Sequence, residues 1–210
     1  MKKPGDRWKQ NGVLKVMISG HGGQGVLDLG NFIAYQAVKD GEHVVYTPTY
    51  GPETRGGKVR CWVTTSSAEI DSPIAEELDV LLIFNKPSMD FVPQLRPGGL
   101  LLHNISIIDR PVERDDITAL PIPCTDLAIH LAEDLDPQYA GTVDTTKALN
   151  CIMYGGFLAM LDQDEASAMA QTRDTFTHLY EGQKARFIPM NLAGVRKGFA
   201  YLSPHARVAR

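Results

Sequence analysis

The chain is poor in cysteine. Three thiols occur in 210 residues, Cys61, Cys124 and Cys151, far apart and with no C-x-x-C pair. An iron–sulfur cluster generally takes four thiolates and a structural zinc four Cys/His ligands, so this chain holds neither alone. An odd, scattered set is no disulfide framework and points to a reducing compartment. Long apolar runs are missing as well. No stretch approaches the roughly 18 apolar residues of a membrane span. The basic arm MKKPGDRWKQNG has no apolar run behind it before Val13, so no signal peptide is read there. Charge of one sign is not in excess either. Lys and Arg number 21 against 25 Asp and Glu, a net charge of −4 that asks for no nucleic-acid partner. The expectation is a cytoplasmic protein with neither nucleic acid nor membrane as partner.

What remains is ordinary in bulk: 43% hydrophobic and 22% charged residues, the composition of a soluble globular protein. The length suits one domain over residues 1–210, with residues 1–12 as a polar arm, able to bury about 70% of its unfolded surface. Val13–Ser19 (VLKVMIS) is short, apolar, β-branched and stopped by glycine, so it reads as a buried strand. Gln24–Lys39 spaces Val26, Leu29, Ile33 and Ala37 as a helix that Asp40-Gly41 ends, and His43–Thr47 reads as a second strand. Strand, glycine loop, helix and strand together favour a parallel βαβ crossover. Strands follow at Lys58–Thr65, Asp79–Phe84, Leu95–His103 and Ala119–Cys124. From Asp126 the pattern turns helical, over Leu127–Asp134, Lys147–Leu161, Glu165–Tyr180 and Leu192–Leu202. The fold expected is α/β, a Rossmann-like, doubly wound, mostly parallel sheet with a helical C-terminal portion.

Two loops carry the functional signal. Gly20-His21-Gly22-Gly23-Gln24-Gly25 matches G-x-G-x-x-G between a strand and a helix. Glycine permits the tight turn and a close approach of backbone to ligand, and a helix N-terminus favours a phosphate. The bland reading is a close strand-to-helix turn with no ligand. An NAD site also needs an acid at the end of the second strand, about 20 residues on. That strand ends Tyr46-Thr47-Pro48-Thr49, and Glu42 lies before it, which weakens a dehydrogenase. Loops after neighbouring strands converge at the carboxyl edge of an open sheet, where ligands sit. The second loop, read as Pro48 to Gly57 and long for a βαβ connection, contains Tyr50-Gly51-Pro52-Glu53-Thr54-Arg55-Gly56-Gly57. Arg55 is able to grip a phosphate, a carboxylate or a partner's acid. Its plainer role is a local pair with Glu53.

These two loops, with Ser72-Pro73, Asp79-Val80-Leu81, Leu95-Arg96-Pro97-Gly98-Gly99 and Asn150–Gly155, resemble the gamma subunit of the 2-oxoacid:ferredoxin oxidoreductases. The similarity runs from about Val13 to about Phe157. The small subunit of indolepyruvate oxidoreductases shares the first loop and Arg-Gly-Gly but usually differs at Tyr-Gly-Pro-Glu. The resemblance implies a complex that decarboxylates a 2-oxo acid (of the pyruvate, 2-oxoglutarate, ketoisovalerate or aryl-glyoxylate type) to acyl-coenzyme A and passes two electrons to ferredoxin or NAD. It implies alpha and beta subunits with thiamine diphosphate and Mg, a ferredoxin-like delta subunit, and 4Fe–4S clusters in those partners. No cofactor is expected on this chain alone, and no catalytic residue or metal ligand is assigned to it.

The same resemblance implies that this chain helps form the coenzyme A side of a composite site. The cofactor-binding residues expected are Gly20, His21, Gly22, Gly23, Gln24, Gly25, Tyr50, Glu53, Thr54, Arg55 and Gly56. Two rival readings stand beside it: a stand-alone NAD(P)-binding protein and a structural scaffold subunit. The remaining histidines, His43, His103, His130, His178 and His205, show no metal spacing and read as surface or satisfied core residues. Of Cys61 and Trp62, one is expected to face the core.

Overall fold

The computed structural model describes residues 5–51, 57–70, 77–137 and 141–208. The β-branched run after the N-terminal arm forms β1 (Val13–His21). It continues past Ser19 because its neighbour keeps pairing with it, Gly20 with Val59 and His21 with Lys58. Then come α1 (Val26–Lys39), β2 (His43–Tyr50) and β3 (Lys58–Ser66). β4 (Leu78–Ile83), β5 (Leu95–Asn104) and β6 (Thr118–Ile122) follow. The sheet runs β2-β3-β1-β4-β5-β6. β1, β4 and β5 are parallel neighbours, while β3 is antiparallel to both β1 and β2.

The expected α/β, mostly parallel sheet is therefore present, with one difference. β1 and β2 point the same way but are not adjacent, because β3 lies between them. The cause is local. The loop after β2 turns straight back, Gly51 donating its N–H to the Lys58 carbonyl at 2.9 Å. That loop is a hairpin connection, not part of a βαβ crossover. Pro48 has no N–H to offer a second ladder, which suits β2 to the sheet edge. β3 buries Cys61 and Val63 on one face and packs Trp62 on the other, so it suits the interior.

The chain divides into two compact units, Met1–Pro121 and Ile122–Arg210. In the first, α1 lies on the Cys61 face. Gly30 permits the contact, since a Cβ there would come within 2.6 Å of Cys61 Sγ and 2.7 Å of Tyr46 Cε2. The opposite face holds Met17, Leu81, Ile83 and Leu101 beneath Met89 and Val92. Those two come from a 3-10 segment, Lys86–Gln94, which begins where the Asn85 side chain accepts the Ser88 N–H.

The second unit is helical, as expected: α2 (Cys124–Ile129), α3 (Leu149–Ala159), α4 (Glu165–Leu179) and α5 (Ile188–Val208). Asn150 through Ala159 are all buried. α3 and α5 touch backbone to backbone. A Cβ on Gly155 would sit 1.9 Å from the Val195 carbonyl oxygen, and one on Gly198 1.8 Å from that of Ile152. Among the described residues, no helix is long and apolar enough to cross a membrane.

Candidate ligand-binding site at the carboxyl edge of the sheet

Glycine spacing after β1 makes a turn no other residue type would make as easily. His21 accepts the Gln24 N–H at 3.1 Å, Gly23 has φ +94, and Gly25 enters α1 with φ +71. These last two values lie in the left-handed region that glycine reaches without a Cβ penalty. Gly20 is required for space instead: a Cβ there would meet Gln24 Oε1 at 2.7 Å and Val26 Cγ2 at 2.9 Å. Gln24 is turned inward. Its Oε1 accepts the His21 N–H at 2.7 Å and its Nε2 points at the Phe84 carbonyl at 3.5 Å. It braces the loop against the end of β4, leaving Gly22 and Gly23 exposed at the tip.

The two loops of the sequence pattern meet. Gly22 donates its N–H to the Gly57 carbonyl at 3.0 Å. Tyr50 ends β2 in register with Val59, which also pairs with Gly20. Glu53, Thr54, Arg55 and Gly56 lie outside the described residues, as do Ser72 and Pro73, and so does the side chain of Tyr50. The Gly20–Gly25 positions and both ends of the second loop thus share one edge of the sheet.

A polar floor lies under that edge. The Ser19 and Ser88 hydroxyls are 2.7 Å apart, and Ser88 also donates to Asn85 Oδ1 at 2.7 Å. His21 is half-buried, and its Nδ1 has no hydrogen-bond partner. On β5, His103 is only 8% exposed and its Nδ1 is likewise without a partner. Burial pushes its pKa down, holding the ring neutral. His103, read from the sequence as a surface or satisfied core residue, is thus a buried one with Nδ1 unpartnered. Cys61 does not belong to the site. It packs beneath α1 with its thiol toward the Val26 carbonyl, and burial pushes its pKa up to about 12. Cys124 and Cys151 are buried in the second unit, and burial raises Cys124 too. Dispersed thiols held protonated do not fit a cluster.

Sequence reasoning passed over Ser19, Ser88 and Arg60, and gave His103 no place at the site. The period-two alternation of β3 was the available signal for Arg60, since it puts Lys58, Arg60 and Trp62 on one face.

Residues 15–201 match the pyruvate ferredoxin/flavodoxin oxidoreductase family, and the chain belongs to it. It is 33% identical over 188 residues to the ketoisovalerate oxidoreductase subunit VorA of Methanothermobacter marburgensis, covering 88% of this chain and 36% of that one. The chain thus spans about a third of the length of the VorA proteins it matches. Two solved structures share the fold. One is 2-oxoglutarate:ferredoxin oxidoreductase from Magnetococcus marinus, described with 2-oxoglutarate, coenzyme A and succinyl-CoA bound. Its TM-score is 0.73 at 22% identity, over 93% of this chain and 32% of that one. The other is the keto/oxoacid ferredoxin oxidoreductase gamma subunit from Geobacter sulfurreducens, with a TM-score of 0.69 at 20% identity, over 94% and 98%.

Proposed function

We propose that this chain is the gamma-type part of a 2-oxoacid:acceptor oxidoreductase and forms the coenzyme A side of its composite active site. The complex converts a 2-oxo acid to acyl-coenzyme A and carbon dioxide and passes two electrons to ferredoxin or NAD. The alpha and beta chains supply thiamine diphosphate with Mg, and a ferredoxin-like delta chain supplies the 4Fe–4S clusters. In this reading the complex works in the cytoplasm, and the chain is inactive alone.

The observation that carries the reading is the meeting of two loops at one sheet edge, Gly22 N–H on the Gly57 carbonyl at 3.0 Å. A glycine tip next to a helix N-terminus suits a diphosphate, because the backbone approaches closely and the helix end is positive. Gly20, Gly22, Gly23 and Gly25 shape that cradle, and Gln24 braces it from inside. His21 stands on its rim as a donor. Tyr50, Glu53, Thr54, Arg55 and Gly56 are proposed as the flank contributed by the second loop. β2 ends Thr49-Tyr50 with no acid for a ribose, which favours coenzyme A over NAD.

Isothermal titration of coenzyme A and NADH into the isolated chain and the assembled complex tests this. The expected result is coenzyme A binding in the complex and no NADH binding by the chain alone. NADH binding by the chain alone contradicts the reading, as does a complex that binds no coenzyme A.

A further inference from the structure

Several basic side chains of the first unit are paired with carboxylates, and Arg60 is not among them. Arg96 holds Asp79, Arg114 holds Asp116, Lys86 holds Asp109 and Lys9 holds Glu42. Arg60 is half-buried, and among the described residues it holds no carboxylate and no hydrogen-bond acceptor. Its guanidinium lies 5.8 Å from the centre of the Trp62 ring and 5.3 Å from that of Phe91. The rings orient the planar cation without neutralising it. Five N–H donors with no acceptor in a partly desolvated place form a receptor for an anion brought from outside.

The position is next to the glycine cradle. Arg60 is in register with Ser19, the residue before Gly20, and on its other side with Thr49. Strands are about 4.8 Å apart, so its Cα lies one strand spacing from the base of the loop. Lys58, exposed and in register with His21, continues the same face toward the loop tip. Cationic groups therefore extend from the cradle along β3.

Coenzyme A carries two separated anionic groups, a diphosphate and a phosphomonoester on its ribose. We propose that Arg60, with Lys58 beside it, receives the 3′-phosphate of a coenzyme A whose diphosphate lies at the Gly20–Gly25 loop. The inference rests on the coenzyme A reading above, and adds a specificity determinant on a strand that reading leaves unused. A guanidinium meets a phosphate through two parallel N–H donors, and the neighbouring hydroxyl of Thr49 is within the same register.

The test is titration of coenzyme A and of 3′-dephospho-coenzyme A into the assembled complex, for wild type, Arg60→Gln and Arg60→Lys. Wild type is expected to prefer coenzyme A by about tenfold or more. Arg60→Gln brings that ratio close to one. Arg60→Lys, which keeps the charge and the stem but not the planar fork, brings it partway and covers the case in which the glutamine chain misfolds. An unchanged ratio in both variants overturns the proposal. So does wild type that binds the two ligands equally, although coenzyme A binding itself then stands. Loss of assembly in Arg60→Gln, with the ratio intact in Arg60→Lys, gives Arg60 to a partner's carboxylate and also overturns it. Wild type that binds neither ligand removes the coenzyme A reading itself.

Discussion

The two edges of the same sheet are built from opposite chemistry. At the amino edge, the Asp79 carboxylate is 1% exposed and holds two partners. Its Oδ2 accepts the Lys15 N–H at 2.8 Å and its Oδ1 accepts Arg96 Nε at 2.5 Å, while Arg96 also donates to the Trp8 carbonyl at 2.9 Å. Lys9 and Glu42 form a second pair there, each side chain only 8% exposed. These ties fasten the N-terminal arm, β1, β4 and β5 together. The carboxyl edge has glycines, hydroxyls and unpaired ring nitrogens at His21 and His103 instead. A buried polar group without a partner is a cost, and such groups gather where a ligand is to be met. One edge is fastened by buried ion pairs, and the other is the one proposed to meet a ligand.

Breaking the comparison starts with its reference scale, the helical unit. Gly198→Ala puts a methyl against the Ile152 carbonyl, and a loss of about 3 kcal/mol or more is expected in denaturant unfolding. At the amino edge, Asp79→Ala strands the Arg96 guanidinium and is expected to cost about 3 kcal/mol by the same measurement. At the carboxyl edge, Ser19→Ala removes only the hydroxyl contact to Ser88, and a loss of about 1 kcal/mol is expected. A cost at Ser19 as large as at Asp79 would erase the distinction between the edges.

The smallest effect is a slope. His103 has a lowered pKa through burial, so folding favours its neutral form. That contribution is present above the unfolded imidazole value of about 6.5 and is lost as pH falls through the lower folded value. Wild type should lose stability in that window and His103→Gln should not. Unfolding midpoints at a series of pH values check this. The carboxylates with lowered values, Asp109, Asp116, Asp144 and Asp164, titrate below the usual carboxylate value of about 4 and lie outside that window.

Much of this was legible because it is local. An apolar run stopped by glycine gave β1, the continuous run DVLLIF gave β4, a Pro-Gly turn before an apolar run gave β5, and the 3.6-residue spacing gave α1. The glycine loop was readable because its constraint is steric and lies in one stretch of six residues. The place of β3 was not, because pairing is a long-range choice that a strand-by-strand reading leaves open. Pro48 was the one local hint that β2 is an edge. Lys86–Gln94 is polar on average and carries Pro87 and Pro93, so it was missed, although Asn85 with Ser88 three residues on is a capping pattern. Arg60 and His103 escaped for a different reason. An arginine on a strand is ordinary in sequence, and only the missing counter-charge makes it notable.

The measurement that tests the central claim most directly is coenzyme A affinity in a complex assembled with Gly22→Asp. Gly22 is exposed and not left-handed, so the fold tolerates the side chain while a carboxylate enters the cradle. The account predicts an intact complex whose dissociation constant for coenzyme A rises about tenfold or more. An intact complex with unchanged affinity would contradict it.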